Sequence, residues 1–279
     1  MKAQISLTVP EGKRLIAEAI AGMSEVQSAL LNGRILLKGG TTVSAVMERL
    51  AGKTLRISGR ISPRGTKAAV QRDGEPHSVL IEQGKIKNID LCFADAVQTL
   101  TCTDIAVIGA NAIDPNGRTA MMFGSPLGGS PGLGMAGLMA QGCKVVIACG
   151  LEKMIPTPIE HAVRAAGIYS TDWAMGMAVG LTPLIGEVVT EKVAIEMLAK
   201  VTCIVIAAGG IAGAEGALTM VVEGDAAEVE KTVRIVLAVK GASTSGNATS
   251  LAECTSGTAG CAIHRACAWR KQKGGKLQW

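Results

Sequence analysis

Apolar positions along the first part of the chain recur at helical spacing, at Leu15, Ile16, Ala19, Ile20 and Met23, which marks one buried face of a helix. Pro10 and Glu11 precede them; proline suits a first helical turn and a carboxylate suits the positive end of the helix dipole. Ser24 with Gln27 has capping-box spacing and predicts a second short helix that stops at Asn32-Gly33. The pattern then changes to a continuous apolar run, Ile35-Leu36-Leu37, which predicts a short buried strand. It leads into Gly39-Gly40-Thr41-Thr42 and a helical pattern from Val43 to Leu50.

Residues 56–71 read as irregular and basic, with Arg56, Arg60, Arg64 and Lys67. Val79 to Ile89 predicts a hairpin around Gln83-Gly84, and Ala94 to Leu100 a short helix. A strand at Ile105 to Ile108 exits into Gly109-Ala110-Asn111-Ala112-Ile113-Asp114. Six glycines between Gly124 and Gly137 predict a long loop, followed by a helix to about Gln141. Val145 to Ala148 is the next buried strand and exits at Gly150-Leu151-Glu152-Lys153. Nothing repeats at a fixed period, which argues against a solenoid.

This alternation predicts an α/β chain: a Rossmann-like, mainly parallel sheet with helices on both faces over residues 1–190. After Thr190 the pattern changes to a helix from Glu191 to Lys200, two paired strands at Cys203 to Ala208 and Leu218 to Val222, and a helix to Lys240. Asp225 with Glu228 suggests its capping box, and Gly241 its C-terminal cap. These elements predict a small α+β subdomain over 191–242. Ser, Thr, Gly and Asn then dominate, and 243–279 reads as a loose tail.

Composition narrows the function. Of 279 residues, 48% are hydrophobic and only 2% aromatic, so aliphatic side chains and Met fill the core. The net charge of +5 comes without a dense basic stripe, and one Tyr and two Phe cannot build a base-stacking platform, so nucleic acid is not an expected partner. The apolar stretch from Val201 to Val222 is interrupted by four glycines and Glu215, which suits a hairpin rather than a membrane span. The first residues carry no apolar signal segment. Cys92, Cys102, Cys143, Cys149 and Cys203 lie in apolar segments and read as reduced, buried thiols of a cytoplasmic protein. High apolar content with low charge predicts homo-oligomers.

Four places can carry chemistry. Gly39-Gly40-Thr41-Thr42 joins a strand to a helix start, where unpaired amides, the helix dipole and hydroxyl donors favour phosphate or carboxylate; the alternative is a plain turn with Thr42 as N-cap. It is neither the phosphate loop ending in Gly-Lys-Ser/Thr nor the Gly-x-Gly-x-x-Gly fingerprint. The second place follows the strand at Ile105: Gly109, Ala110, Asn111 and Asp114, with Glu152 and Lys153 after the next strand, at the strand ends where open α/β sheets bind ligands. Asp114-Pro115-Asn116-Gly117 also reads as a turn. The third is the glycine-rich stretch beginning Gly124-Ser125, an anion cradle or lid. The fourth is Cys254, Cys261, His264 and Cys267, whose spacing matches no standard metal-ligand pattern. His77 and His161 are isolated and read as surface or helix histidines, and the Arg56 to Lys67 run reads as solvated, with a phosphate clamp as the alternative.

Taken in order, several of these pieces resemble the superfamily of ribose-5-phosphate isomerase, CoA transferases and glucosamine-phosphate deaminase. The pieces are the strand into Gly39-Gly40-Thr41-Thr42, then Ile108-Gly109-Ala110-Asn111-Ala112-Ile113-Asp114, similar to the isomerase signature Asp-Gly-Ala-Asp-Glu-Ile-Asp. The glycine-rich stretch and Val145-Val146-Ile147-Ala148 followed by Glu152-Lys153 complete the set. The resemblance implies a sugar-phosphate, nucleotide or CoA-like ligand. The sequence departs from it where the isomerases place their acids: Ile108, Asn111 and Ala112 stand at acidic positions, Met121 or Met122 falls near the lysine position, and only Asp114 remains. No Asp or Glu lies between Asp114 and Glu152, so the usual proton-transferring base is missing.

The expectation is therefore a binding protein or sensor for a small anion, held between Gly39–Thr42 and the Gly109–Asp114 turn, with Gly124 and Ser125 nearby and no metal. One alternative is an isomerase or transferase that uses Asp114 or Glu152 with Lys153. Another is a metal or redox protein built on the tail cysteines.

Overall fold

In the computed structural model, residues 1–68, 74–251, 253, 261 and 264–269 are described. Strand β1 (Lys2–Leu7) leads into helix α1 (Val9–Gly22), which has Pro10 in its first turn. The Thr8 amide donates to Glu11 Oε2 at 2.8 Å, satisfying one donor that a helix start leaves open. Leu15, Ile16, Ala19 and Ile20 form its buried face. Helix α2 (Ser24–Asn32) ends at Gly33, but the expected capping box does not form: Met23 is the N-cap, Ser24 Oγ turns to Glu25, and Gln27 Nε2 reaches the Ala21 carbonyl.

Strand β2 (Arg34–Lys38) and helix α3 (Thr41–Ala51) follow in the expected order, with Gly40 rather than Thr42 as N-cap. The segment read as irregular contains a hairpin, β3 (Gly59–Ser62) and β4 (Gly65–Ala68). Next come β5 (Ser78–Glu82), β6 (Lys85–Asn88), α4 (Phe93–Gln98), β7 (Ile105–Gly109), β8 (Ala112–Ile113) and β9 (Thr119–Phe123). The stretch expected to be a loop is mostly helix α5 (Gly129–Ala140). Its glycines serve close packing: a Cβ at Gly134 would lie 2.6 Å from the Phe93 ring, and one at Gly137 2.8 Å from Val97 Cγ1. Small residues let α5 approach α4 where a side chain would keep the helices apart. The remaining elements are β10 (Lys144–Ala148), α6 (Ile159–Ala165), β11 (Gly180–Leu184), β12 (Glu187–Val189), α7 (Glu191–Leu198), β13 (Val201–Gly209), β14 (Ala217–Gly224) and α8 (Ala226–Ala238).

The central sheet has six strands in the order β12-β10-β7-β2-β5-β6. Its β12–β10, β10–β7 and β7–β2 pairings are parallel, while β2–β5 and β5–β6 are antiparallel. The fold is thus α/β with a mixed sheet, because the β5–β6 hairpin occupies the side of β2 that a fully parallel sheet would give to a crossover strand. Helices cover both faces. Ile35, Leu37, Val107 and Val146 pack toward α1, α3 and α7, and Leu36, Ala106, Ile108, Val145 and Ile147 toward α4 and α5, as the two-residue alternation of strands requires.

The strands expected at Cys203 to Ala208 and Leu218 to Val222 lie within β13 and β14, which pair antiparallel, and β1 joins them in the order β1-β14-β13. This sheet therefore uses both the beginning and the later part of the chain. Asp225 caps α8 without a side-chain hydrogen bond, and Glu228 binds the Lys200 amide instead of closing a capping box. The first part of the segment read as a loose tail is tied down. Ser245 Oγ donates to Ser44 Oγ at 2.7 Å, the Asn247 amide to the Leu55 carbonyl at 2.9 Å, and Ser250 Oγ accepts from the Ile57 amide at 3.0 Å. Among the thiols, Cys143, Cys149 and Cys203 are buried and free, but Cys92 and Cys102 are exposed, contrary to the sequence reading. No described helix is long and apolar enough to cross a membrane.

Glu11 ties the first helix to the last. Its carboxylate binds the Thr8 amide, Lys240 Nζ at 2.7 Å and the Gly241 amide at 2.9 Å. Burial pushes its pKa up, but Lys240 and the two amides outweigh it and hold the pKa at about 2. A depressed carboxylate stabilises the fold above its ordinary pKa and loses that contribution as the pH falls toward the folded value. Glu11→Gln is expected to cost about 2 kcal/mol in urea unfolding at pH 7. The difference from wild type should shrink between pH 4.5 and pH 2; a cost that persists unchanged at pH 2 would contradict this role.

Candidate functional site

Strands β2, β7 and β10 are parallel, so their carboxyl ends lie at one edge of the sheet, and the strand order reverses direction beside β2. Ligand crevices in open sheets form at such points. A cleft of about 1140 Å³ opens there. Of the residues expected from sequence, it brings together Gly39, Gly40, Thr41, Thr42, Gly109, Ala110, Asn111, Gly124, Ser125, Glu152 and Lys153. Asp114 does not line it. That carboxylate is buried and accepts the amides of Asn116, Arg118 and Ile159 at 2.9–3.1 Å. Burial alone would raise its pKa, but the Ile159, Arg118 and Asn116 amides outweigh that and hold it below the usual aspartate value. Asp114 builds the turn between β8 and β9.

The α3 start forms one wall. The Ser44 amide is paired with the Gly40 carbonyl at 2.7 Å, so the amides of Thr41, Thr42 and Val43 precede the intrahelical ladder, and these three residues line the cleft. The Thr42 hydroxyl is buried there without a hydrogen-bond partner. Gly39 is required by close approach: its amide donates to the His77 carbonyl at 2.7 Å, and a Cβ would sit 2.7 Å from His77 Nδ1. On the facing wall, Asn111 Oδ1 accepts the Met122 amide at 2.9 Å, which leaves Nδ2 as a donor.

Lys38, the last residue of β2, lies beneath these donors. It shares the sheet face of Leu36 and is 9% exposed. No ion pair or side-chain hydrogen bond holds it among the described residues; its ammonium lies 5.9 Å from the centre of the Phe123 ring. Burial pushes its pKa down to about 8. His77, read from sequence as a surface or helix residue, is buried beside it, and the reason is tertiary: Arg56 and Gly39 close over the ring. His77 Nδ1 lies 3.0 Å from the Arg56 carbonyl, which only accepts, so Nδ1 carries the hydrogen. Burial and the Lys38 charge keep the imidazole neutral. Its amide binds Asp90, which also pairs with Arg56 at 2.6 Å.

Glu152 lies in the turn after β10, against Lys13 at 3.4 Å and Lys153 at 4.0 Å. Both its carboxylate oxygens are buried without hydrogen-bond donors. Nearby Glu191 accepts the Leu151 amide at 2.8 Å; burial first, and the Glu152 charge second, push its pKa up to about 7. Burial lowers the pKa of Lys13 despite Glu152. At Gly150 a Cβ would meet the carboxylates of Glu152 and Glu191.

The hairpin β3–β4 covers the cleft from the side of Arg60 and Thr66. The Thr66 carbonyl accepts the Met177 amide at 2.8 Å, and Arg60 donates to the Ser250 carbonyl at 2.5 Å. The basic run is thus not solvated: Lys67 is buried and pairs with Glu253, and Arg64 stacks on Trp269. Overall the cleft lining holds five cationic side chains, Lys13, Lys38, Arg56, Arg60 and Lys153, against two carboxylates, Asp90 and Glu152.

The sequence reading missed Lys13, Lys38, Arg60 and His77 as lining residues. A signal existed for Lys38: a charge closing an apolar strand immediately before Gly-Gly. For the tail, Cys254 lies outside the described residues. His264 is buried and Cys261 and Cys267 are half-buried, and no three His, Cys, Asp or Glu among the described residues could hold a metal. His161 lies exposed on α6. No protein-family model, curated protein or solved structure matches this chain.

A lysine whose pKa falls from 10.5 to about 8 on folding destabilises the folded state wherever it is charged in the unfolded chain. The penalty is full below pH 8 and fades as the pH rises through 10.5. Lys38→Met should therefore raise unfolding free energy at pH 7 by on the order of 3 kcal/mol, with the gain shrinking toward pH 10.5. A destabilised Lys38→Met at pH 7 would show that the ammonium has a protein partner.

Proposed function

We propose that this chain binds a small phosphate- or carboxylate-bearing molecule in the cleft at the carboxyl ends of β2, β7 and β10. The observation that carries this reading is Lys38: a buried ammonium with no carboxylate or hydrogen-bond partner among the described residues, set beside the start of α3 and the orphaned Thr42 hydroxyl. A buried cation is ordinarily paired, and here the missing partner is an anion from outside. The helix start supplies further donors of the kind that hold oxyanions. Gly124 and Ser125 also line the cleft, and its two acids, Asp90 and Glu152, are paired with Arg56 and Lys13. The ordered motifs that resemble ribose-5-phosphate isomerases and CoA transferases add a sugar phosphate, nucleotide or CoA-like anion to the candidates.

A second reading is supported by Glu152. Its carboxylate lines the cleft beside Lys153, and neither of its buried oxygens has a hydrogen-bond donor among the described residues, so the cleft also suits an isomerase or transferase. Free thiols accord with a reducing, cytoplasmic setting.

Binding is expected to appear as a thermal shift. Sulfate, whose charge is constant from pH 6 to pH 10, should stabilise the protein by roughly 2.7 kcal/mol at one hundred times its dissociation constant, a rise of several degrees for a chain of this size. Phosphate, sugar phosphates, nucleotides and acyl-CoAs then rank the ligand classes. Lys38→Met and Thr42→Val should each weaken the sulfate response. Because the anion favours charged Lys38, wild-type affinity should fall as the pH rises above 8. A flat response to every anion would remove this reading.

Self-association belongs to the same proposal. Edge strand β13 exposes Ile204 by 56% and Ile206 by 53%, an apolar strip that a second copy can cover. Sedimentation of wild type should show an oligomer that Ile204→Lys with Ile206→Lys breaks. Oligomers unchanged by the pair would place the contact elsewhere.

A further inference from the structure

We infer that Lys38 is an amine nucleophile that forms an imine with an aldehyde or ketone carrying a phosphate or carboxylate group. The inference rests on the anion-binding reading above and assigns the reacting group within that site. Two independent features of the cleft divide the work. The start of α3, with the amides of Thr41, Thr42 and Val43 and the unpartnered Thr42 hydroxyl, offers a seat for an anionic group. Lys38 lies immediately on the strand side of the same turn, 9% exposed and held by neither carboxylate nor carbonyl among the described residues. A carbonyl compound whose anionic end occupies the helix start presents its reactive carbon toward Nζ.

The surroundings favour the neutral amine. Met121, Met122, Phe123 and Met177 line the adjoining wall, and an apolar wall disfavours the ammonium. His77 beside it is a neutral imidazole with no negative charge to hold the ammonium. With a pKa of about 8, about a tenth of the lysine is neutral at pH 7, against less than a thousandth of an ordinary surface lysine. A role as point charge alone is served better by arginine, which stays charged when buried; a lysine whose pKa moves is the residue of imine chemistry.

The step balances without a further reactant. The Nζ lone pair attacks the carbonyl carbon, and proton transfer from nitrogen to oxygen gives a carbinolamine. Protonation of its hydroxyl by solvent lets water leave as the nitrogen lone pair forms C=N, and the iminium returns a proton. Reversal by water releases the carbonyl compound unchanged.

Borohydride trapping tests this on the full chain. The protein is incubated with pyruvate or glyceraldehyde 3-phosphate, with acetaldehyde as the carbonyl that lacks an anion, reduced, and mapped by peptide mass spectrometry. The expected product with pyruvate is one adduct, of the mass of pyruvate less one oxygen atom, on the peptide containing Lys38. Its yield should rise with pH through about 8, fall when sulfate is added, and exceed the yield with acetaldehyde at least tenfold. Lys38→Arg should abolish it. Should that variant not fold, the sulfate competition and pH profile of wild type decide alone. Adducts spread over exposed lysines, or none at Lys38 while sulfate still shifts the melting temperature, would overturn the imine and leave anion binding standing. No adduct together with no sulfate response would overturn both.

Discussion

Burying an ammonium without a counter-charge opposes folding, and the architecture around the cleft is organised about that cost. Lys38 closes β2 on the α4–α5 side of the sheet, where its neighbours are aliphatic or aromatic and the nearest ring is Phe123. A methionine there would pack as well and spare the desolvation. What the lysine offers is chemical: a cation, or an amine, at the base of a helix start whose first amides precede the intrahelical ladder. The chain carries less stability than its core permits, and in the proposed function a ligand completes the charge.

The rest of the fold holds that site in place. Parallel pairing of β2, β7 and β10 brings three turns to one edge, and glycines at 39 and 150 let His77, Glu152 and Glu191 approach the backbone. Two carboxylates beside Lys13 are accommodated by leaving Glu191 close to protonation at neutral pH, so the cluster around Glu152 does not cancel the positive lining. The β3–β4 hairpin covers the cleft and is itself pinned by segments distant in sequence, Met175–Met177 and Asn247–Ser250. Closure therefore depends on long-range contacts, whereas the proposed anion seat is local to one strand-turn-helix unit.

That division explains what the sequence discloses. The β2–Gly39–Thr42–α3 unit is legible because its signals are neighbours: an apolar run, paired glycines, hydroxyl residues and a helical pattern. Glu152 and Lys153 are legible from their place after β10. Lys13 is not, because a lysine on an amphipathic helix reads as solvated until Glu152 and the sheet edge cover it. His77 lacks any local cue to burial, which comes from Arg56 and Gly39. Asp114 misleads in the opposite direction: an acid at a strand exit suggests chemistry, yet Asn116, Arg118 and Ile159 occupy its oxygens. The glycines of 129–137 suggest a loop because glycine favours turns, whereas here they admit the α4 helix at close range. Ser245 and Ser250 sit in a stretch whose composition reads as loose, and their hydroxyls fasten it to α3 and to Ile57.

The most direct test is the titration of the Lys38 side chain itself, followed by NMR of the selectively labelled amine in the wild-type protein. A midpoint near 8 that moves upward when sulfate is added would establish a buried, partnerless amine whose charge is completed by an anion. A midpoint at the ordinary lysine value, unmoved by sulfate, would contradict the account.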